Sequence, residues 1–168
     1  MTNKNEIIQP LQQIESPFPP PLDVDDQRKA LFVGAKYQTY YKEKFDLITP
    51  KKQMAGFNIA AFFLGIMWLF YRKMYAYGFI AIGLTFVVGI IETMIGITGT
   101  GSSIAFAVVF GLMGNTLYKY FVDKKISTIN SNEDIEKAGG TNIWAALAIL
   151  GIALFLVSSS YYLESQGY

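Results

Sequence analysis

The chain has 168 residues, of which 52% are hydrophobic, and its formal net charge at neutral pH is only +1. That apolar share is too high for an ordinary soluble domain of this size and indicates a small membrane protein. The sequence contains neither cysteine nor histidine. Their absence excludes disulfides, thiol and imidazole chemistry, and the usual ligands of zinc, haem and iron–sulfur clusters.

Residues 1–24 form a polar, proline-rich N-terminal segment. The segment has no apolar stretch long enough for a signal-peptide core, so we predict a disordered tail and no cleaved signal. The cluster PFPPP at 17–21 has the composition of an SH3 ligand. It lacks a basic anchor, however, and a spacer is the favoured interpretation.

Residues 25–56 are predicted to form a cytoplasmic amphipathic helical region. Acidic residues open it, and Gly34 is expected to end a first short helix. Beyond Gly34, apolar side chains recur at helical spacing: Tyr37, Tyr40, Tyr41, Phe45 and Ile48. The opposite face carries charges: Lys36, Lys42, Glu43 and Asp46. Two interpretations stay open, because such a face either lies on the membrane surface beside anionic headgroups or packs on the protein.

The remainder, 57–168, is predicted to be the membrane domain. Segments 75–98, 104–122 and 143–163 are predicted transmembrane helices, since a bilayer core of roughly 30 Å needs about 20 helical residues. Segment 57–71 is shorter and would reach only roughly 22 Å as a helix. It is therefore predicted to re-enter or to lie at the interface, with a short span in a thinned bilayer as the alternative.

The distribution of basic residues favours three spans over four. If 57–71 does not cross, then the N-terminal region, Arg72, Lys73, Lys119 and the loop 123–141 share one face, and the opposite face has no lysine or arginine. This arrangement satisfies the positive-inside rule, whereas a crossing segment would split the basic residues. The predicted fold is an all-α integral membrane protein with three transmembrane helices, a short re-entrant or interfacial aromatic helix and an N-terminal amphipathic helix. Its N-terminus is expected in the cytoplasm and its C-terminus in the periplasm.

The loop 123–141 mixes both signs of charge with polar residues. We predict a flexible cytoplasmic connector, in which Thr141 or Asn142 caps the last helix.

Three blocks of the sequence carry a family resemblance. They are FVGAKYQTYYKEKF, FNIAAFFLGIMWLFYRKMY and GLMGNTLYKYFVDKK. Together they resemble the bacterial domain-of-unknown-function family 2628 over roughly residues 31–126. The chain departs from the family pattern at Ile59, where tryptophan is frequent, and at Ile66, where proline is frequent. The resemblance implies a small protein of the bacterial inner membrane and implies no activity.

Small residues recur every fourth position on two predicted spans. One stripe contains Ala81, Thr85 and Gly89, and the next contains Ser103, Ala107, Gly111 and Asn115. Such stripes let helix backbones approach closely, so we predict that the two helices pack as an antiparallel hairpin, with self-association as the alternative. The amide of Asn115 is expected to bond to a neighbouring helix.

Aromatic and basic residues flank segment 57–71. Trp68, Tyr71 and Tyr75 are predicted to sit at the headgroup level, where Arg72 and Lys73 hold anionic lipid headgroups or a partner. These five residues are the predicted anchoring residues.

Glu92 is the candidate polar residue inside the membrane, near the uncharged end of its span. An interfacial acid is the favoured interpretation, and a cation or proton site is the alternative.

No catalytic, cofactor-binding or metal-ligating residues are predicted, because the sequence carries no phosphate loop, nucleophile elbow or metal-ligand motif. It also lacks a nucleic-acid-binding module. The predicted function is that of a non-enzymatic accessory or adaptor subunit that assembles with a partner membrane protein in the lipid bilayer. The alternative is a homo-oligomeric channel or small transporter, lined by Glu92, Asn115 and the two stripes.

Overall fold

The computed structural model describes residues 23–97 and 101–166, and their regular elements are helices. In chain order these are α1 (Val24–Val33), a π-helical turn (Tyr37–Tyr41), α2 (Lys42–Leu47), α3 (Ile59–Leu64), α4 (Ile66–Tyr71), α5 (Tyr75–Met94), α6 (Gly101–Thr128), α7 (Asn132–Ala138) and α8 (Ile143–Ser165). Most of the proline-rich tail lies outside the described residues.

Three stretches are long and apolar enough to cross a membrane. They are Tyr75–Met94, Gly101–Thr128 and Asn132–Leu163, the last of which includes most of α8. The predicted all-helical fold with three potential membrane helices is therefore confirmed, and these features are those of a membrane protein.

Helix α1 begins and ends at residues with strong local preferences. The carboxylate of Asp23 accepts a hydrogen bond from the Asp25 amide at 2.6 Å, which satisfies one of the free donors of the first turn. Gly34 follows the helix with a φ of 79°, a left-handed value that glycine adopts without steric cost. Gly34 thus ends the first helix, as predicted.

The aromatic face after Gly34 is turned toward the protein. Tyr37, Tyr41, Phe45 and Ile48 are all buried. The rings of Tyr41 and Phe45 lie 4.9 Å and 6.0 Å from the ring of Tyr118 in α6. Edge-to-face aromatic pairs of this kind each add about 0.5–1.5 kcal/mol beyond area burial. These contacts support the interpretation in which the face packs on the protein.

Charged pairs join α1 to its neighbours. Asp26 in α1 pairs with Lys42 in α2 and also accepts a hydrogen bond from the Tyr37 hydroxyl. The bond from Lys42, followed by that from Tyr37, holds the pKa of Asp26 below its ordinary value. Lys29 lies 3.7 Å from Asp123 of α6. The pair of Asp26 with Lys42 thereby links α1 to α2, and the pair of Lys29 with Asp123 links α1 to α6.

The prediction of a flexible connector at 123–141 was wrong, because this segment holds the end of α6 and a further helix, α7. Ile135 of α7 is fully buried. Gly139 lies directly against the backbone carbonyl of Phe32, and the Gly140 amide donates to that carbonyl at 2.6 Å. The predicted cap at Asn142 is confirmed, since its side-chain oxygen accepts from the Ala145 amide at 3.1 Å.

Segment 57–71 is two short helices rather than one. Asn58 caps α3 by accepting from the Ala61 amide at 2.9 Å. Gly65, with a φ of 50°, ends α3 and begins α4. Each helix has six residues, so each is about 9 Å long. We call α1–α4, α7 and residues 110–128 the packed head.

Candidate functional site

Helix α3 packs closely on the middle of α6. The backbone amide of Asn58 donates to the Gly111 carbonyl at 2.7 Å, and the ring of Phe57 covers Gly111. One turn further on, a Cβ at Gly114 would lie only 2.7 Å from the Cβ of Ala61. The two glycines therefore admit α3 to a distance that a larger residue would not allow. Gly111 of the predicted stripe thus contacts the α3 segment.

Asn115 connects three segments of the head from a position with no solvent exposure. Its side-chain oxygen accepts from the Asn58 amide group at 3.0 Å and from the Tyr40 hydroxyl at 3.4 Å. Its amide group donates to the carbonyls of Ala55 and Gly56 at 3.3 Å and 3.4 Å. Asn115 therefore holds in place residues 55–58, the segment that leads into α3.

Arg72 lies inside the protein, with only 6% of its surface exposed. The guanidinium carbon is 4.8 Å from the centre of the Tyr41 ring and 4.9 Å from that of Tyr118. One terminal nitrogen donates to the Tyr41 hydroxyl at 3.0 Å. Trp68, also buried, completes the group with its ring 5.9 Å from that of Tyr118. Arg72 and Trp68 are thus held by aromatic packing, a setting that differs from the open headgroup contact predicted for them.

The other predicted anchoring residues meet the start of α8 and the end of α7. The Tyr71 carbonyl accepts from the Asn142 amide at 2.7 Å, and the Tyr75 hydroxyl accepts from the Asn142 side chain at 2.9 Å. Lys73, at a φ of 58°, donates to the carbonyl of Lys137 at 3.1 Å. Tyr71 and Tyr75 therefore fix the turn between α4 and α5 to the beginning of the last helix, and Lys73 joins the same turn to the end of α7.

A cavity of about 330 Å³ lies beside Arg72. We call it the arginine pocket, and its polar lining is Lys36, Tyr40, Tyr41, Asn58, Tyr71 and Arg72. Of these, sequence reasoning selected Tyr71 and Arg72 as binding residues. Asn58 had a detectable signal, since an asparagine directly before an apolar helical run is typical of an N-cap. The approach of Lys36 and Tyr40 depends on tertiary packing and had none.

A second cavity, of about 620 Å³, lies between α5, α6, α8 and the turn at Gly65. We call it the span cavity. Four residues of the two stripes line it: Thr85, Gly89, Ser103 and Ala107. The direct packing of α5 on α6 through these stripes stays a prediction. The remaining stripe residue, Ala81, accepts a hydrogen bond from the Thr85 hydroxyl at 2.9 Å within α5.

Glu92 lines the far end of the span cavity. Its carboxylate accepts from the Ser102 hydroxyl at 3.1 Å, which joins the end of α5 to the beginning of α6. Ser102 is thus a local polar partner of Glu92 across the α5–α6 junction. Within residues 23–97 and 101–166, no three acidic side chains come together as metal ligands.

The fold and the packed head define a class, that of all-helical proteins with three potential membrane helices. Residues 24–124, more than half of the chain, match the family described as protein of unknown function (DUF2628), and the chain belongs to that family. The predicted family is thus confirmed. The matched region contains Arg72, Asn58 and Asn115. No curated protein and no solved structure matches the chain.

Proposed function

We propose that the chain is a three-span protein of the bacterial inner membrane, in which segment 57–71 re-enters or lies at the interface and region 25–56 is a cytoplasmic amphipathic region. The contacts of the segment with α6 support this topology. Gly65 lies beside Phe110 of α6, and Trp68 and Arg72 contact Tyr118, eight residues further along that helix. Eight residues of helix correspond to about 12 Å, far less than a bilayer core of roughly 30 Å.

The two ends of the same segment also support one shared face. Before the segment, the carbonyl of Gln53 accepts from Thr116, and the Gln53 side chain accepts from the Tyr120 hydroxyl at 2.8 Å. After it, Arg72 meets Tyr118 of the same helix. With the positive-inside rule, the basic residues of the head support a cytoplasmic N-terminus and a periplasmic C-terminus.

We infer that the chain is a non-enzymatic accessory or adaptor subunit that acts by assembly with a partner membrane protein. The span cavity is the observation that carries this inference. Of the 18 most apolar consecutive residues of α5, 6% are buried, and in the corresponding stretch of α8 none is. The head, by contrast, is densely packed. Gly89 and Gly83 of α5 both have open space around them. The small residues of the cavity are suited to the close approach of another helix backbone.

The hydroxyl groups of α5 favour an apolar partner helix at this site. Thr85, which lines the span cavity, donates to the carbonyl of Ala81 in its own helix at 2.9 Å. Thr93, which lies outside the lining of that cavity, donates to the carbonyl of Gly89 at 2.9 Å. Both hydroxyls are satisfied within α5, so neither needs a polar group on a partner. Association there would depend on close van der Waals contact, which is the usual force between helices in lipid.

Filling the cavity face should abolish assembly. Gly89→Leu places a large side chain on the face that lines the span cavity, and Gly83→Leu is the matched control, since Gly83 lies outside the cavity lining. The tagged chain is purified from its native membrane in mild detergent, and native mass spectrometry gives its companions and their stoichiometry. We expect a partner in fixed ratio with the parent chain and with Gly83→Leu, and its loss with Gly89→Leu.

A chain that is monomeric without companions, or a partner retained equally by Gly89→Leu, would refute the inference. A clean homo-oligomer would instead favour a channel. Glu92 favours that second candidate, because its carboxylate lines the same cavity as the stripes. In reconstituted vesicles a channel requires that Glu92→Gln alter ion flux, whereas the accessory function requires that Glu92→Gln leave assembly unchanged.

A further inference from the structure

We propose that the arginine pocket binds a phosphate ester with a net negative charge, either the headgroup of an anionic lipid or a soluble phosphate compound. The inference goes beyond assembly, since it concerns a ligand site inside the head. It rests on a buried cation that has no anion opposite it.

Arg72 is buried without a carboxylate partner among the described residues. Ion pairs there are formed by lysines: Lys29, Lys42, Lys44, Lys119 and Lys137. The Nε atom of Arg72 is buried and makes no hydrogen bond within that part of the chain. A buried guanidinium with a free donor is costly unless an anion or a strong acceptor meets it. The planar fork of arginine matches phosphate oxygens particularly well.

The surrounding tyrosines do not supply the missing negative charge. Burial raises the pKa of Tyr41 above its ordinary value, and the neighbouring Arg72 opposes that shift without reversing it. The Tyr41 hydroxyl is therefore neutral at physiological pH. The rings of Tyr41 and Tyr118 offset part of the cost of burying the cation by cation–π contact. They leave the guanidinium with its full positive charge.

The rest of the lining contains both polar and apolar residues. Lys36 adds a second cation, and Asn58 and Tyr40 add polar groups. The apolar side chains include Phe57, Ile59 and Leu64, which are 43%, 65% and 44% exposed. A pocket of about 330 Å³ is at the small end of ligand sites. It suits a phosphate and its attached glycerol, with an acyl chain leaving along the exposed apolar side chains.

The test uses Trp68, which lines the pocket, as a fluorescent reporter. Trp144 is the other tryptophan and is 77% exposed, so Trp144→Phe in the full chain leaves Trp68 alone. The purified chain in detergent is titrated with phosphatidylglycerol carrying brominated chains, and separately with phosphatidylcholine carrying the same chains. We expect saturable quenching of Trp68 at lower concentration with the anionic lipid.

Substitutions connect the quenching to the pocket. Lys36→Gln changes an exposed side chain and is expected to weaken binding about fivefold, the effect of one lysine at an anionic headgroup. Lys124→Gln, an exposed lysine outside the pocket, is the matched control and should change nothing. Arg72→Lys keeps a charge but loses the fork, and a loss of roughly tenfold or more is expected.

A further titration with glycerol phosphate distinguishes the two sources of phosphate. If glycerol phosphate reverses the quenching, the soluble ester occupies the pocket; if it does not, the lipid is the ligand, and either result supports a phosphate site. Equal quenching by both lipids, or binding that Lys36→Gln leaves unchanged, would overturn the proposal. Neither result depends on whether a partner protein is found.

Discussion

Replacing Asn115 with alanine is expected to destabilise the packed head by about 2–4 kcal/mol. The substitution removes the bonds to Asn58, Tyr40 and the carbonyls of Ala55 and Gly56 at a site without solvent exposure. Each buried group left without a partner costs about 1–3 kcal/mol, and the longer of these bonds contribute least. The free energy of unfolding is measured in mixed detergent from Trp68 fluorescence, in the Trp144→Phe background.

The matched control is Asn130→Ala, an exposed asparagine between α6 and α7, which is expected to change the free energy by less than about 0.5 kcal/mol. A double-mutant cycle with Asn58→Ala isolates the bond between the two amides. Contacting residues of one network couple by about 0.5–3 kcal/mol, so we expect a clear interaction energy. Additive losses would show that Asn58 and Asn115 act independently.

Gly114→Ala is expected to produce the second large loss, about 1–3 kcal/mol. The new methyl group would lie 2.7 Å from the Cβ of Ala61 and 3.3 Å from that of Asn58, so α3 must move away from α6. The higher helix propensity of alanine offsets at most about 1 kcal/mol of this cost. The displaced α3 also weakens the bond between the Asn58 amide and the Gly111 carbonyl, now 2.7 Å.

Gly83→Ala in α5 separates propensity from packing, because a Cβ at Gly83 meets open space. We expect that variant to be as stable as the parent or more so. The same unfolding measurement compares the two alanine variants. Equal stabilities would mean that α3 does not pack against Gly114 in the membrane protein.

The elements that the sequence predicts well are those with local signals. The three potential spans are continuous apolar runs, and Gly34 is a glycine at the end of a short amphipathic pattern. Gly65 is itself a local signal for the break in segment 57–71. The family pattern often has a proline at the next position, where this chain has Ile66. With a φ of 50°, Gly65 breaks the segment without that proline. The turn could therefore have been placed from the glycine.

Other features depend on contacts between distant residues. Arg72 beside Lys73 has the pattern of a headgroup anchor, but Tyr41 and Tyr118 enclose it through contacts 31 and 46 positions away in sequence. Likewise, the small residues at every fourth position of α6 predict a close contact but do not identify the segment that makes it. In the structure Gly111 contacts Phe57, at the beginning of segment 57–71. Spacing alone does not distinguish this partner from α5.

Cysteine labelling shows whether segment 57–71 crosses the membrane. The chain has no cysteine, so Lys51→Cys, Lys124→Cys and Ser165→Cys each give one thiol without background. Intact cells are treated with a membrane-impermeant thiol reagent, and lysed cells serve as the control. If the segment does not cross, positions 51 and 124 are both protected while position 165 is labelled. Position 51 protected together with position 165, while position 124 is labelled, would show that the segment crosses.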